Sequence, residues 1–104
     1  MIRVLCIDDS NKPNIIPKSS WVEKDKEYKV IHVSTSLHVK SKNVLMFSLA
    51  EIDLTIYPPY GAFRADRFAV HQDDIEALIA LAEACTELNN VDISALVGEL
   101  DTVN

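Results

Sequence analysis

The chain has 104 residues with 48% hydrophobic and 25% charged content, enough for one folded domain with a single core and not the composition of a disordered chain. No stretch approaches the ~20 apolar residues a membrane helix requires. The short apolar start, Ile2 to Ile7, is interrupted by Asp8 and Asp9 and lacks a cleavage site, so it does not read as a signal peptide. The expected location is cytoplasmic. The formal charge of −6 is unevenly spread: all ten Lys and Arg lie at or before Arg67, giving +2 up to residue 71. Residues 72–104 hold eight acids and neither Lys nor Arg, giving −8. A tail of that sign is repelled by a phosphate backbone.

Ile2–Ile7 is β-branched and apolar, bounded by Asp-Asp-Ser-Asn, and reads as a buried strand. Residues 9–25 hold Pro13 and Pro17, which deny a helix. They form a long loop pinned to the core by Ile15, Ile16 and Trp21. Glu27–Ser34 is a second strand. Leu37–Lys40 either extends it or opens a hairpin turning at Lys40-Ser41-Lys42-Asn43, and Val44–Phe47 follows as an apolar strand. From Ala50 to Ile56 the pattern alternates, with Ala50, Ile52, Leu54 and Ile56 on one face and Glu51, Asp53 and Thr55 on the other, as in a half-buried strand. Pro58-Pro59 ends it, residues 60–67 turn at Gly61, and Phe68–His71 is a last short strand.

The helix signal spans Asp73–Leu88. Ile75, Leu78, Ile79, Ala82 and Cys85 share one face, and Asp73, Asp74 and Glu76 suit the positive end of the helix dipole. Asn89-Asn90 stops it. A weaker amphipathic turn follows at Ile93, Leu96, Val97 and Leu100, with Asp92 as its cap and Gly98 weakening it by ~1 kcal/mol. It needs a surface to hold it, in the same chain or in a dimer. The expected class is mainly β with a C-terminal α element (α+β): a small barrel or half-barrel over residues 1–71 and an acidic helical extension over 72–104, packed on the barrel or on a partner.

Cys6-Ile7-Asp8-Asp9, the proline-bearing loop to Trp21-Val22, and Lys26-Glu27-Tyr28-Lys29-Val30-Ile31 resemble a group of short bacterial and bacteriophage proteins with an SH3-like barrel. Leu49-Ala50-Glu51-Ile52-Asp53-Leu54 and Phe63-Arg64-Ala65-Asp66-Arg67-Phe68 are similar to theirs too. In that group an F-x-x-x-R-F element forms the tight turn before the closing strand. The resemblance covers about residues 3–70. It implies an SH3-like barrel of phage or mobile-element origin and carries over no catalytic residue.

Asp8-Asp9 with Asp53 mimics the magnesium and phosphoacceptor carboxylates of a receiver domain, because three carboxylates can hold one hard cation. The surrounding pattern opposes this. Pro13 and Pro17 stand where a helix should follow the acidic pair, residues 26–56 offer strands only, and no lysine follows Arg67. His32, His38 and His71 lack metal-ligand spacing to one another or to a cysteine. Cys6 and Cys85 read as buried thiols. Neither Gly61 nor Gly98 opens a helix after a strand, so no phosphate loop exists. No catalytic residue, metal or cofactor is therefore assigned, and the chain is expected not to be an enzyme.

The candidate binding residues are Tyr57, Tyr60, Phe63, Arg64 and Arg67. Tyr57-Pro58-Pro59-Tyr60 is a stiff aromatic-proline cluster suited to recognition, and SH3-type barrels use such patches for extended peptides. An alternative reading makes it a rigid turn covering the core. Trp21, Tyr28, Tyr57, Tyr60 and Phe63 with Lys24, Lys26, Arg64 and Arg67 could instead face single-stranded nucleic acid, but acids interleave with those bases. In the competing reading Trp21, Tyr28, Phe63 and Phe68 fill the core and Arg64 or Arg67 pairs with Asp66 or a tail acid. The expected role is a non-enzymatic interaction or adaptor module with a protein partner, or with a second copy of the chain as a homodimer through the C-terminal helix. Nucleic acid and membrane are disfavoured as partners.

Overall fold

A computed structural model describes residues 2–38, 42–58, 60–85, 97–98 and 100–103. Its strands are β1 (Ile2–Cys6), β2 (Glu27–His38), β3 (Lys42–Leu49), β4 (Phe63–Arg64), β5 (Phe68–His71) and β6 (Asp101–Val103), and the helix α1 spans Ile75–Cys85. They form one mixed sheet in the order β4-β3-β2-β1-β5-β6, antiparallel throughout except for the parallel β5·β6 pair. The class is α+β, mainly β. No helix among the described residues is long and apolar enough to cross a membrane.

Alternation builds the inner face. Ile2, Val4 and Cys6 of β1, Leu45, Phe47 and Leu49 of β3, and Phe68 and Val70 of β5 are all buried, because every second side chain points to the same side. In β2 the inward positions are Tyr28, Val30 and then Val33. The shift of phase falls at a break in the β2·β3 register between Val30 and His32. An extra residue there turns Ile31 outward, 59% exposed, and lets the strand keep its apolar face.

The sheet is strongly curled. β3 and β5 lie three strand spacings apart, ~14 Å on a flat sheet. Yet the rings of Phe47 and Phe68 are 5.9 Å apart, and Phe63 meets Phe68 edge-on at 6.2 Å. The sequence imposes this curl, because only a one-turn 3-10 segment, Ala65–Arg67, separates the outer strand β4 from β5. The curl stops short of closure: the sheet runs open from β4 to β6. Where a barrel or half-barrel was expected, the strands form an open, curled sheet.

Helix α1 lies over β2 and inserts Leu78 and Ala82 into the same core as the strands, with Ile75 and Ile79 half-buried beside them. That is the face read from the sequence, although the helix starts at Ile75 after a 3-10 turn over Gln72–Asp74. Residues 86–88 of the expected helix lie outside the described residues. So does most of the second amphipathic turn: of it, Val97 is buried and the Leu100 amide bonds to the Val97 carbonyl at 3.0 Å. Helix does not continue to the end. The chain enters β6 and pairs Asp101, Thr102 and Val103 with Ala69, Val70 and His71.

The expected strand over Ala50–Ile56 does not form. Local hydrogen bonds outcompete the ladder: the Asp53 carboxylate accepts from the Thr55 amide at 2.9 Å and from its hydroxyl, and the Tyr57 amide turns back to the Leu54 carbonyl. Of the alternating set only Leu54 is buried, while Ile56 is 64% exposed.

Candidate functional site

Three chain segments meet around Trp21. The first is the β1–β2 loop, residues 7–26. It is long but extensively tied: the Ile7 and Asp8 amides donate to the Arg67 carbonyl, and the Asp25 amide donates to the Cys6 carbonyl at 2.8 Å. Asp8 accepts from the Ser10 amide, and Asp9 accepts from the Lys24 amide at 3.0 Å. Lys12 folds back on the Ile16 carbonyl at 2.6 Å. Asn11 and Asp25 take left-handed backbone at φ 61° and 70°, a conformation their short polar side chains tolerate. Ile16 and Val22 anchor this loop in the core; Ile15, expected to help, is 57% exposed.

The second segment is the 3-10 turn. Its Arg67 guanidinium lies 4.9 Å from the Trp21 ring, donates to the Ser10 carbonyl at 2.7 Å and approaches the Asp8 carboxylate at 3.8 Å. The Trp21 indole N–H donates to the Asp9 carbonyl at 2.8 Å, and its ring rests on Phe63 at 5.1 Å. Trp21 thereby meets both the Arg67 guanidinium and, at a tilt, the Phe63 ring. The third segment, residues 50–58 and 60–62, follows no regular ladder and brings Leu54 and Tyr60 alongside.

Between these segments opens a groove of about 510 Å³, within the size range of small-ligand and peptide sites. Asn11, Pro13 and Trp21 form its loop wall, Val44 and Met46 its β3 wall, and Leu54 and Tyr60 its far rim. Phe63, Arg64 and Arg67 contribute from β4 and the turn, and among the described residues no carboxylate lines it.

Four of the five sequence-derived binding residues reach this groove. Tyr60 is 40% exposed on the rim, Arg64 and Arg67 are half-buried, and Phe63 is buried, so its part is support. Tyr57 is set apart, half-buried with its hydroxyl 3.4 Å from that of Ser20. The sequence reading missed Trp21 as a groove residue outside the nucleic-acid alternative, along with Val44, Met46 and Leu54. Alternation could have found Val44 and Met46, since they occupy the opposite face of β3 from Leu45 and Phe47.

Asp8, Asp9 and Asp53 each serve a separate local turn, through Ser10, Lys24 and Thr55. Among the described residues no three His, Cys, Asp or Glu side chains are placed to hold one metal ion. Hydrogen bonds from Ser10 and from Thr55 hold the Asp8 and Asp53 carboxyls below their ordinary value. Burial pushes the Cys6 thiol up, keeping it protonated. The phenol of Tyr28 is buried and accepts a bond from the Glu23 amide at 2.8 Å. Arg64 pairs with Asp66, as one expectation had it, while Arg67 turns to Asp8 and Ser10 instead. His71 lies 2.7 Å from Glu27 and Arg3 binds Asp74, joining the sheet to the start of the helix.

Comparison with protein-family models, curated proteins and solved structures returned no match.

Proposed function

We propose that this protein is a non-enzymatic interaction module that holds an extended segment of a partner protein in the groove around Trp21. The observation that carries the reading is the groove's construction: apolar and aromatic walls fixed on a rigid frame of hydrogen bonds, with a few polar groups at its edge. Three features favour an SH3-like ancestry for the frame. The strand order from β4 to β5 runs 4-3-2-1-5, a long loop joins β1 to β2, and a 3-10 turn joins β4 to β5. SH3-type domains bind extended peptides between aromatic loops. Among the described residues that line the groove there is no cysteine, serine, histidine or carboxylate; the thiol of Cys6 is buried and Asp8 and Asp53 are committed to separate turns.

Trp21 is the sole tryptophan of the chain, so its emission reports on groove occupancy directly. Heptapeptides selected from a random display library should shift that emission saturably. Tyr60→Ala and Met46→Lys should weaken them by about tenfold or more, the usual effect of removing an interface anchor, with circular dichroism unchanged. Failure to select any such peptide, or selected peptides indifferent to both substitutions, would remove the reading. The aromatic and arginine content of the groove makes single-stranded nucleic acid the rival ligand. An oligothymidylate that shifts Trp21 emission with a steep salt dependence would replace the peptide reading with that one.

A further inference from the structure

Among the described residues, the groove borders a sheet edge whose ladder is only partly paired, although the 3-10 turn after β4 also lies against β3. β3 is eight residues long and pairs along its whole length with β2, but β4 has two residues and meets β3 only at Met46 and Phe47. Beyond Arg64 the chain leaves the ladder for its 3-10 turn. Residues 42–45 therefore run past the end of β4, and no described backbone bonds to them from that side. Val44, within this overhang, and Met46 line the groove two residues apart on one face of the strand. The opposite end of the sheet differs: β5 is covered there by β6, a short strand that begins at exposed Asp101.

Resting on the peptide reading above, we infer that the partner segment binds by adding a strand to β3 alongside residues 42–45, with alternate side chains entering the groove and a carboxylate facing Arg64. Backbone pairing supplies the register, since an unpaired edge offers donors and acceptors at a fixed repeat. Side chains at every second position of the ligand meet Val44, Met46 and Trp21, because successive residues of a strand point to opposite faces. The preference for an acid follows from the described lining residues, which include two guanidinium groups and among which there is no carboxylate. Both arginines already have an acidic neighbour within the chain, so the preference is modest, about threefold. A polyproline ligand, the usual guest of SH3-type grooves, lacks the amide donors that such an edge uses.

The test uses the intact protein and the heptapeptides selected above, resynthesised with a methyl group on each backbone nitrogen in turn. Strand addition requires losses of about tenfold or more at every second position, with little change between. Arg64→Glu should reduce binding of acid-bearing peptides and favour their Lys-substituted versions. A flat response to methylation, or selection dominated by proline, would overturn strand addition while leaving the groove reading standing, provided that Tyr60→Ala and Met46→Lys still weaken binding. Peptides unaffected by those two substitutions would end both.

Discussion

Arg67 shows how a single side chain can organise a surface without belonging to the core. Only 13% of its side chain is exposed, and it serves the Trp21 ring, the Ser10 carbonyl and the Asp8 carboxylate together. Planar guanidinium does all three at once, stacking through its face and donating through its edge; an ammonium cannot. Arg67→Lys should therefore behave as a damaging change, costing about 1–2 kcal/mol, and Arg67→Ala about 2–3 kcal/mol. Urea unfolding followed by Trp21 emission measures both, and the emission of the native state should shift to the red as the indole becomes wetter. A loss under 0.5 kcal/mol for both variants would mean that the loop is held without this residue. None of this was legible in the sequence. The partners of Arg67 lie 57 and 59 positions away, whereas Asp66, its neighbour in the chain, is taken by Arg64.

At the scale of elements, local polar chemistry decides where the strands stop. The pattern from Ala50 to Ile56 satisfies a strand's period, yet Asp53 followed two residues later by Thr55 offers the backbone a closed turn, and Pro58 follows. Those residues were visible, and weighing them above the alternation would have given the correct loop. β1, the β2–β3 pair, β5 and the buried face of α1 were legible because their apolar spacing is strong and met no such competitor. The carboxylates at these joints make a prediction about pH. Asp8 and Asp53 are held below the ordinary value by hydrogen bonds from Ser10 and Thr55. Asp74 is held down by bonds from the Arg3 amide and side chain. A depressed carboxyl stabilises the fold fully above its unfolded value, ~3.9, and that contribution disappears as pH falls through the lower folded values. The melting temperature should hence fall as the pH drops below about 4, and the fall should be shallower in Asp53→Asn. Identical acid profiles for the two proteins would show that the Asp53–Thr55 turn does not couple to folding.

For the molecule as a whole, the unforeseen element is β6. Three residues from the acidic end of the chain return to the sheet and run parallel to β5. Periodicity could not announce this strand: Asp101 and Thr102 are exposed, and three residues are too few to show a period. Its role follows from what lies beneath it. β5 is buried at Phe68, Ala69 and Val70 and would otherwise present an apolar edge at the end of the sheet, the kind of edge that recruits strands from other chains. β6 occupies that edge and ends the sheet in a strand bearing a carboxylate. A chain ending at Leu100 should accordingly self-associate as its concentration rises, at concentrations where the full chain shows no such change in sedimentation velocity. It should also bind thioflavin T more readily on prolonged warming. Thr102→Pro, which denies the ladder a donor, should move in the same direction by a smaller amount. Indistinguishable sedimentation of all three proteins would show that the β5 edge is protected by something other than β6.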